Sequence, residues 1–160
     1  MNIFEIAIQM EIEGASYYTK MAGQAEDEGL KSIFSLLAAD EKKHQAIFEA
    51  LQSDAAIPSD SLSSGKTDMK QILSTFSSEF QQKEKTHLQA YESALEIELK
   101  SIEFYSEYLA SLEDTREREV LNFIIQEERK HYDLIDTIIV MINRPNSWVE
   151  DAEFGQRERY

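Results

Sequence analysis

A set of side chains with fixed spacing occurs twice in this chain. Glu11, Tyr18 and the Glu-x-x-His pair Glu41/His44 return 87 residues later as Glu98, Tyr105, Glu128 and His131. The same offset pairs Glu5 with Glu92, Ala7 with Ala94, Asp27 with Asp114 and Lys43 with Lys130, and it sets Tyr17 against Phe104, Ile33 against Val120 and Asp40 against Glu127. Identity over the repeat is low, yet every candidate ligand falls on an identical position, so an internal duplication governs what the chain can fold into. Residues three apart on a helix lie on adjacent turns of one face, so Glu41 and His44 can reach one point, as can Glu128 and His131. A glutamate from each of two helices plus Glu-x-x-His from each of two others is the donor set of a two-metal centre inside a four-helix bundle.

Hydrophobic periodicity places these residues on helices and on the core side of them. The first stripe runs Ala7, Glu11, Gly14, Tyr18, Met21, Ala25, and the second Leu30, Ile33, Leu37, Glu41, His44, Phe48, Leu51. The third runs Tyr91, Ala94, Glu98, Ile102, Tyr105, Leu109, Leu112, and the fourth Val120, Ile124, Glu128, His131, Ile135, Ile138, Ile142. Short polar turns at Glu26–Gly29 and Glu113–Arg116 predict that the first two helices, and the last two, are antiparallel neighbours. Asp114 with Glu117 resembles a capping box opening the fourth helix.

Between the second and third helices, residues 53–86 read as a crossover: Ser53 to Lys66 holds Pro58, Gly65 and five serines. Asp68 with Gln71 then caps a short amphipathic helix carrying Met69, Leu73, Phe76 and Phe80 on one side, and Thr86 with Gln89 restarts the chain as the third helix. Helices of about 25 residues are roughly 38 Å long, and a connection of this length lets the second and third run parallel. Pro145 stops the fourth helix near Asn143. The expected organisation is a bundle over residues 1–143 and a tail over 144–160, whose Trp148, Phe154 and Tyr160 dock on the bundle or on a second subunit.

Composition narrows the function. The net charge of −15 leaves no basic stripe for nucleic acid or an anionic membrane surface. The absence of cysteine excludes disulfides, thiolate nucleophiles and iron–sulfur or rubredoxin-type centres, so any metal is held by oxygen and imidazole. The start Met-Asn-Ile-Phe-Glu has no signal-peptide pattern, and the most apolar stretch, Leu134 to Ile142, is too short to span a bilayer, so a soluble cytoplasmic protein is expected. Four carboxylates in an apolar core are unfavourable alone, whereas two divalent cations balance them and leave the histidines neutral. Carboxylate with imidazole suits iron or manganese, with zinc as a substitute. Glu127 also lies within reach of His131, but the repeat matches it to Asp40 and matches Glu128 to Glu41. Tyr18 and Tyr105 either fill the core or hydrogen-bond a ligating carboxylate and assist proton delivery. His87 has no repeat partner and reads as a surface residue.

Glu11 with Tyr18, the Asp27–Gly29 turn, Asp40-Glu41-Lys-Lys-His44 and Glu127-Glu128-Arg-Lys-His131 resemble the ferritin-like superfamily, and most closely the di-iron domain of rubrerythrins. The resemblance covers about residues 1–143. It implies an all-α, ferritin-like four-helix bundle holding two iron ions, oxo- or hydroxo-bridged, with Glu11, Glu41, His44, Glu98, Glu128 and His131 as ligands. It implies reaction with hydrogen peroxide or dioxygen, usually in a homodimer, here with the option of a domain swap through the crossover. Rubrerythrins usually carry a cysteine-bearing rubredoxin domain; this chain has no cysteine, so electrons are expected from an external donor such as rubredoxin. Many also place a glutamate three residues after the third-helix ligand, where this chain has Ser101. The leading expectation is a peroxide-reducing oxidoreductase. Behind it stand a protein that oxidises and sequesters iron, and a helical interaction module without turnover.

Overall fold

The computed structural model of the chain describes residues 2–58, 60–63, 69–74, 76, 80 and 83–144. Its elements are α1 (Ile3–Gln24), α2 (Glu28–Gln52), a short α3 (Met69–Leu73), a 3-10 turn (Lys85–His87), α4 (Leu88–Leu109) and α5 (Thr115–Asn143). Among the described residues there is no strand, and no helix is long and apolar enough to cross a membrane. The architecture is the all-α four-helix bundle that the periodicity predicts.

Side-chain caps fix where three of the long helices begin. Asn2 Oδ1 accepts from Glu5 N at 2.9 Å, Asp27 Oδ1 from Leu30 N at 3.0 Å, and Asp114 Oδ1 from Glu117 N at 2.9 Å. Each occupies a backbone donor that the first helical turn leaves without an internal acceptor. The helix α4 start differs from the expected Thr86 cap. Thr86 Oγ1 instead donates to Lys83 O at 3.1 Å, and α4 follows the 3-10 turn at Leu88 with no side-chain cap. Helix α5 ends at Asn143, and Arg144 is already extended (φ −73°, ψ 126°), the conformation imposed on a residue that precedes proline. The Asp68 cap, most of the serine-rich segment's latter half and the aromatic tail from Asn146 to Tyr160 lie outside the described residues.

Contacts at the middle of the bundle settle its topology. Tyr18 meets Glu98 while Tyr105 meets Glu11, so α1 and α4 are antiparallel. His131 meets Glu41 while His44 meets Glu128, so α2 and α5 are antiparallel as well. With α1 and α2 joined by a tight turn, α2 and α4 therefore run parallel, and the long connection carries the chain from one end of the bundle to the other. On its way, α3 packs over the start of α2. A Cβ at Gly29 would lie 2.6 Å from the Phe76 ring and 3.1 Å from Ile72, so only glycine lets the crossover approach this closely. Leu73 and Phe80 are buried, and the Phe76 and Phe80 rings stack at 4.3 Å.

The core divides into two apolar clusters. One gathers Tyr18, Phe34, Leu37, Tyr91, Ile135 and Ile138; the other gathers Ala7, Ile47, Phe48, Tyr105, Val120 and Ile124. Along every long helix the candidate ligands fall between residues of the two clusters, so the polar layer is closed above and below by hydrocarbon. The buried line of α4 is Tyr91, Ala94, Glu98, Ser101 and Tyr105, with Ile102 only half-buried, so Ser101 takes the core position expected for Ile102. His87, expected at the surface, is half-buried.

Candidate metal centre

Glu11 on α1, Glu41 and His44 on α2, Glu98 on α4, and Glu128 and His131 on α5 converge on one point, each no more than 3% exposed. Both histidines face it through Nδ1. His44 Nδ1 lies 3.3 Å from Glu11 Oε1, 3.3 Å from Glu128 Oε1 and 3.8 Å from Glu41 Oε1. His131 Nδ1 lies 3.3 Å from Glu41 Oε1, 3.4 Å from Glu98 Oε2 and 3.5 Å from Glu128 Oε1. The two rings face one another nearly parallel at 6.1 Å. Two overlapping sets result, Glu11/Glu41/His44/Glu128 and Glu41/Glu98/Glu128/His131, each with ligand atoms within 4.8 Å of one another. Glu41 and Glu128 belong to both sets, and Glu11 and Glu98 to one each. The six residues singled out by the duplication are thus all brought together.

These donors fit a metal pair. Glu11 Oε1, Glu41 Oε1, His44 Nδ1, Glu98 Oε1, both Glu128 oxygens and His131 Nδ1 are buried with no hydrogen-bond partner outside the cluster among the described residues. Buried polar atoms are nearly always partnered, so seven orphans at one point mark a place built for cations. Electrostatics agrees. Burial, reinforced by the charges of Glu11, Glu128 and Glu98, pushes the Glu41 carboxyl well above the usual range, and burial with Glu11 and Glu98 raises Glu128 to about 7. Burial alone would lower His44, but the Glu11 carboxylate outweighs it and holds the imidazole up to about 10. Without cations the cluster keeps protons on its histidines, and divalent ions held there would replace them.

A surrounding layer orients the donors. Tyr18 Oη donates to Glu98 Oε2, and Tyr105 Oη donates to Glu11 Oε2 at 2.6 Å, so each phenol holds the glutamate of the other half of the repeat. Burial, then the adjacent carboxylates, raises both phenols well above their ordinary value, and both keep their protons. Of the two readings open for these tyrosines, core filling and carboxylate hydrogen bonding, both hold. His131 Nε2 lies 3.0 Å from Asp40 Oδ2. Burial would raise Asp40, but its hydrogen bond to His131 and that ring's charge prevail and hold the carboxyl below the usual range. At Gly14 a Cβ would lie 2.6 Å from Glu41 Oε2, so the carboxylate occupies the space a side chain would fill.

A model of the rubrerythrin family matches residues 2–139, a span that contains all six converging residues. This chain belongs to the rubrerythrin family. Comparison with curated proteins and with solved structures gives no match. The rubrerythrin domain accounts for the fold and for a di-iron type of site, to which the buried glutamate and histidine clusters conform. Three residues that matter to this domain escaped the sequence reading. Asp40 stands in the sequence as the repeat match of Glu127 and in the Asp40-Glu41-Lys-Lys-His44 motif, but neither gives it a partner, although an acid directly before each Glu-x-x-His glutamate is a usable signal. Gly14 lay on the right stripe with no indication that it houses a carboxylate. Glu84 is 2% exposed and accepts from Tyr91 Oη at 2.5 Å, and nothing in its polar neighbourhood in sequence marked it as buried.

Proposed function

We propose that this rubrerythrin-family chain is a non-haem di-iron oxidoreductase that reduces hydrogen peroxide, or dioxygen, with electrons from an external donor such as rubredoxin. The observation that carries the reading is the convergence of seven orphaned donor atoms in a layer closed by two apolar clusters. Glu11, Glu41, His44 and Glu128 would hold one iron, and Glu41, Glu98, Glu128 and His131 the other, with Glu41 and Glu128 common to both. Held by these residues, a ferrous pair would supply the two electrons that cleavage of a peroxide O–O bond requires.

The remaining work falls to the protein. Reduction of one peroxide to two waters consumes two protons along with two electrons, and two phenolic protons stand at the site. Tyr18 Oη holds one against Glu98 Oε2 and Tyr105 Oη holds the other against Glu11 Oε2. Their raised pKa keeps them available as donors at neutral pH. Hydrocarbon above and below excludes bulk water, which strengthens every charge interaction within the layer. Gly14 gives Glu41 room, and the tyrosines fix Glu11 and Glu98 from outside.

The test is a stopped-flow comparison of the ferrous protein mixed with peroxide and with dioxygen, with turnover followed in the presence of an added donor. Faster oxidation by peroxide, with sustained turnover, is the expected result. A second reading, ferrous oxidation and sequestration, draws on the −15 charge and the same donors. Retention of many more than two irons per chain after aerobic loading would reverse the order of the two.

A further inference from the structure

The duplicated halves contribute equal ligands, but the carboxylates that flank them are used differently. Asp40 and Glu127 occupy the same repeat position, directly before Glu41 and Glu128. Asp40 reaches across from α2 to α5 and takes His131 Nε2 at 3.0 Å. Glu127, one methylene longer, accepts from Lys130 Nζ at 3.1 Å, one turn on along its own helix α5. A neutral imidazole carries one proton. With Asp40 accepting at Nε2, that proton stays there, and the lone pair is left on Nδ1, the atom that faces Glu41, Glu98 and Glu128. A carboxylate hydrogen-bonded to the far nitrogen fixes the ring's orientation and raises its basicity as a ligand.

We infer that Asp40 is a positioning residue that makes the two metal positions unequal, so that the Glu41/Glu98/Glu128/His131 position fills before the Glu11/Glu41/His44/Glu128 position. The inference rests on the two-metal reading proposed above. The His131 ring is held in its binding orientation before an ion arrives, so the ordering cost is met in folding rather than in binding. Asp40 adds a further negative charge close to that position, with its side chain 17% exposed and therefore incompletely screened.

Anaerobic titration of the full chain with cobalt(II) tests this, followed by visible absorption and by calorimetry. The wild type should show two resolved steps, the tighter at least about tenfold stronger. Asp40→Ala should weaken the tighter step by about 10- to 100-fold, the usual effect of removing such a partner, and leave the weaker step within about twofold. Asp40→Asn, whose amide oxygen still accepts from Nε2–H, should restore most of the ordering, a rescue that a purely structural role would not give. His131→Ala should abolish the tighter step first, and Glu127→Ala should leave it unchanged. Two equal steps in the wild type, or equal weakening of both steps in Asp40→Ala, would overturn the inference while leaving the metal pair standing. Binding of one equivalent or none would overturn both.

Discussion

At the scale of single residues, the two overlapping donor sets make the six ligands unequal in consequence. Removing a residue common to both sets disturbs both ions, whereas removing one that belongs to a single set disturbs one. Glu41→Ala and Glu128→Ala are therefore expected to reduce bound iron toward zero, and Glu11→Ala and Glu98→Ala toward one per chain, as measured by elemental analysis after reconstitution. Full metal content in Glu41→Ala would remove it from the ligand set. The protonation of the cluster gives a second expectation. A ligand must shed its proton to bind a cation, and His44, held up to about 10, and His131, raised well above its ordinary value, both carry one at neutral pH. Metal binding at pH 7 should release more than two protons per chain, one from each imidazole and the rest from the raised Glu41 and Glu128 carboxyls, and affinity should climb as pH rises from 6 to 8. Calorimetry in buffers of different ionisation enthalpy reads the number directly; no release would show that the histidines are already neutral. For the metal-free chain the sign is opposite. A His44 pKa raised in the folded state stabilises fully below the unfolded value near 6.5, and that contribution is lost as pH rises through about 10.

At the scale of elements, the crossover is pinned to α2 by the absence of a side chain at Gly29. Gly29→Ala brings a methyl to within 2.6 Å of the Phe76 ring, which already stacks on Phe80, and within 3.1 Å of Ile72. Overpacking of this kind costs about 1–3 kcal/mol, against roughly 1 kcal/mol regained in helix propensity. A fall in Tm of a few degrees, about 2–4 °C for each kcal/mol lost, is expected, with metal content unchanged because the ligands lie further along α2. An unchanged Tm would mean that α3 does not bear on this helix. The elements themselves were legible because ligands and apolar residues share one 3.6-residue stripe, and because Asp27, Asp114 and Pro145 mark helix ends by local chemistry. The α4 start was not, since Thr86 has two uses for its hydroxyl and the preceding turn claimed it. The candidate ligands were legible because the duplication repeats both identity and spacing. Their partners were not. Which carboxylate meets which ring depends on how α2 is rotated against α5, and the crossed pairing of Tyr18 with Glu98 and Tyr105 with Glu11 depends on α1 lying against α4. Periodicity within one helix carries no information on either.

At the scale of the whole molecule, the bundle is two helical hairpins that share one charged layer. Metal-free, four carboxyl groups and two imidazoles are buried together with the protons that Glu41, Glu128 and the rings retain, and desolvation costs several kcal/mol for each ion before any pairing returns it. Two divalent cations would bring the layer to neutrality and, by binding only the folded arrangement, would raise its stability by mass action. The hairpins α1–α2 and α4–α5 each supply three of the six donors, so neither alone completes either set. Metal stoichiometry therefore tests the shared layer most directly. Iron per chain after anaerobic ferrous reconstitution and gel filtration is the direct measurement. Two irons per chain is the predicted result, and one or fewer in fully helical protein would contradict it.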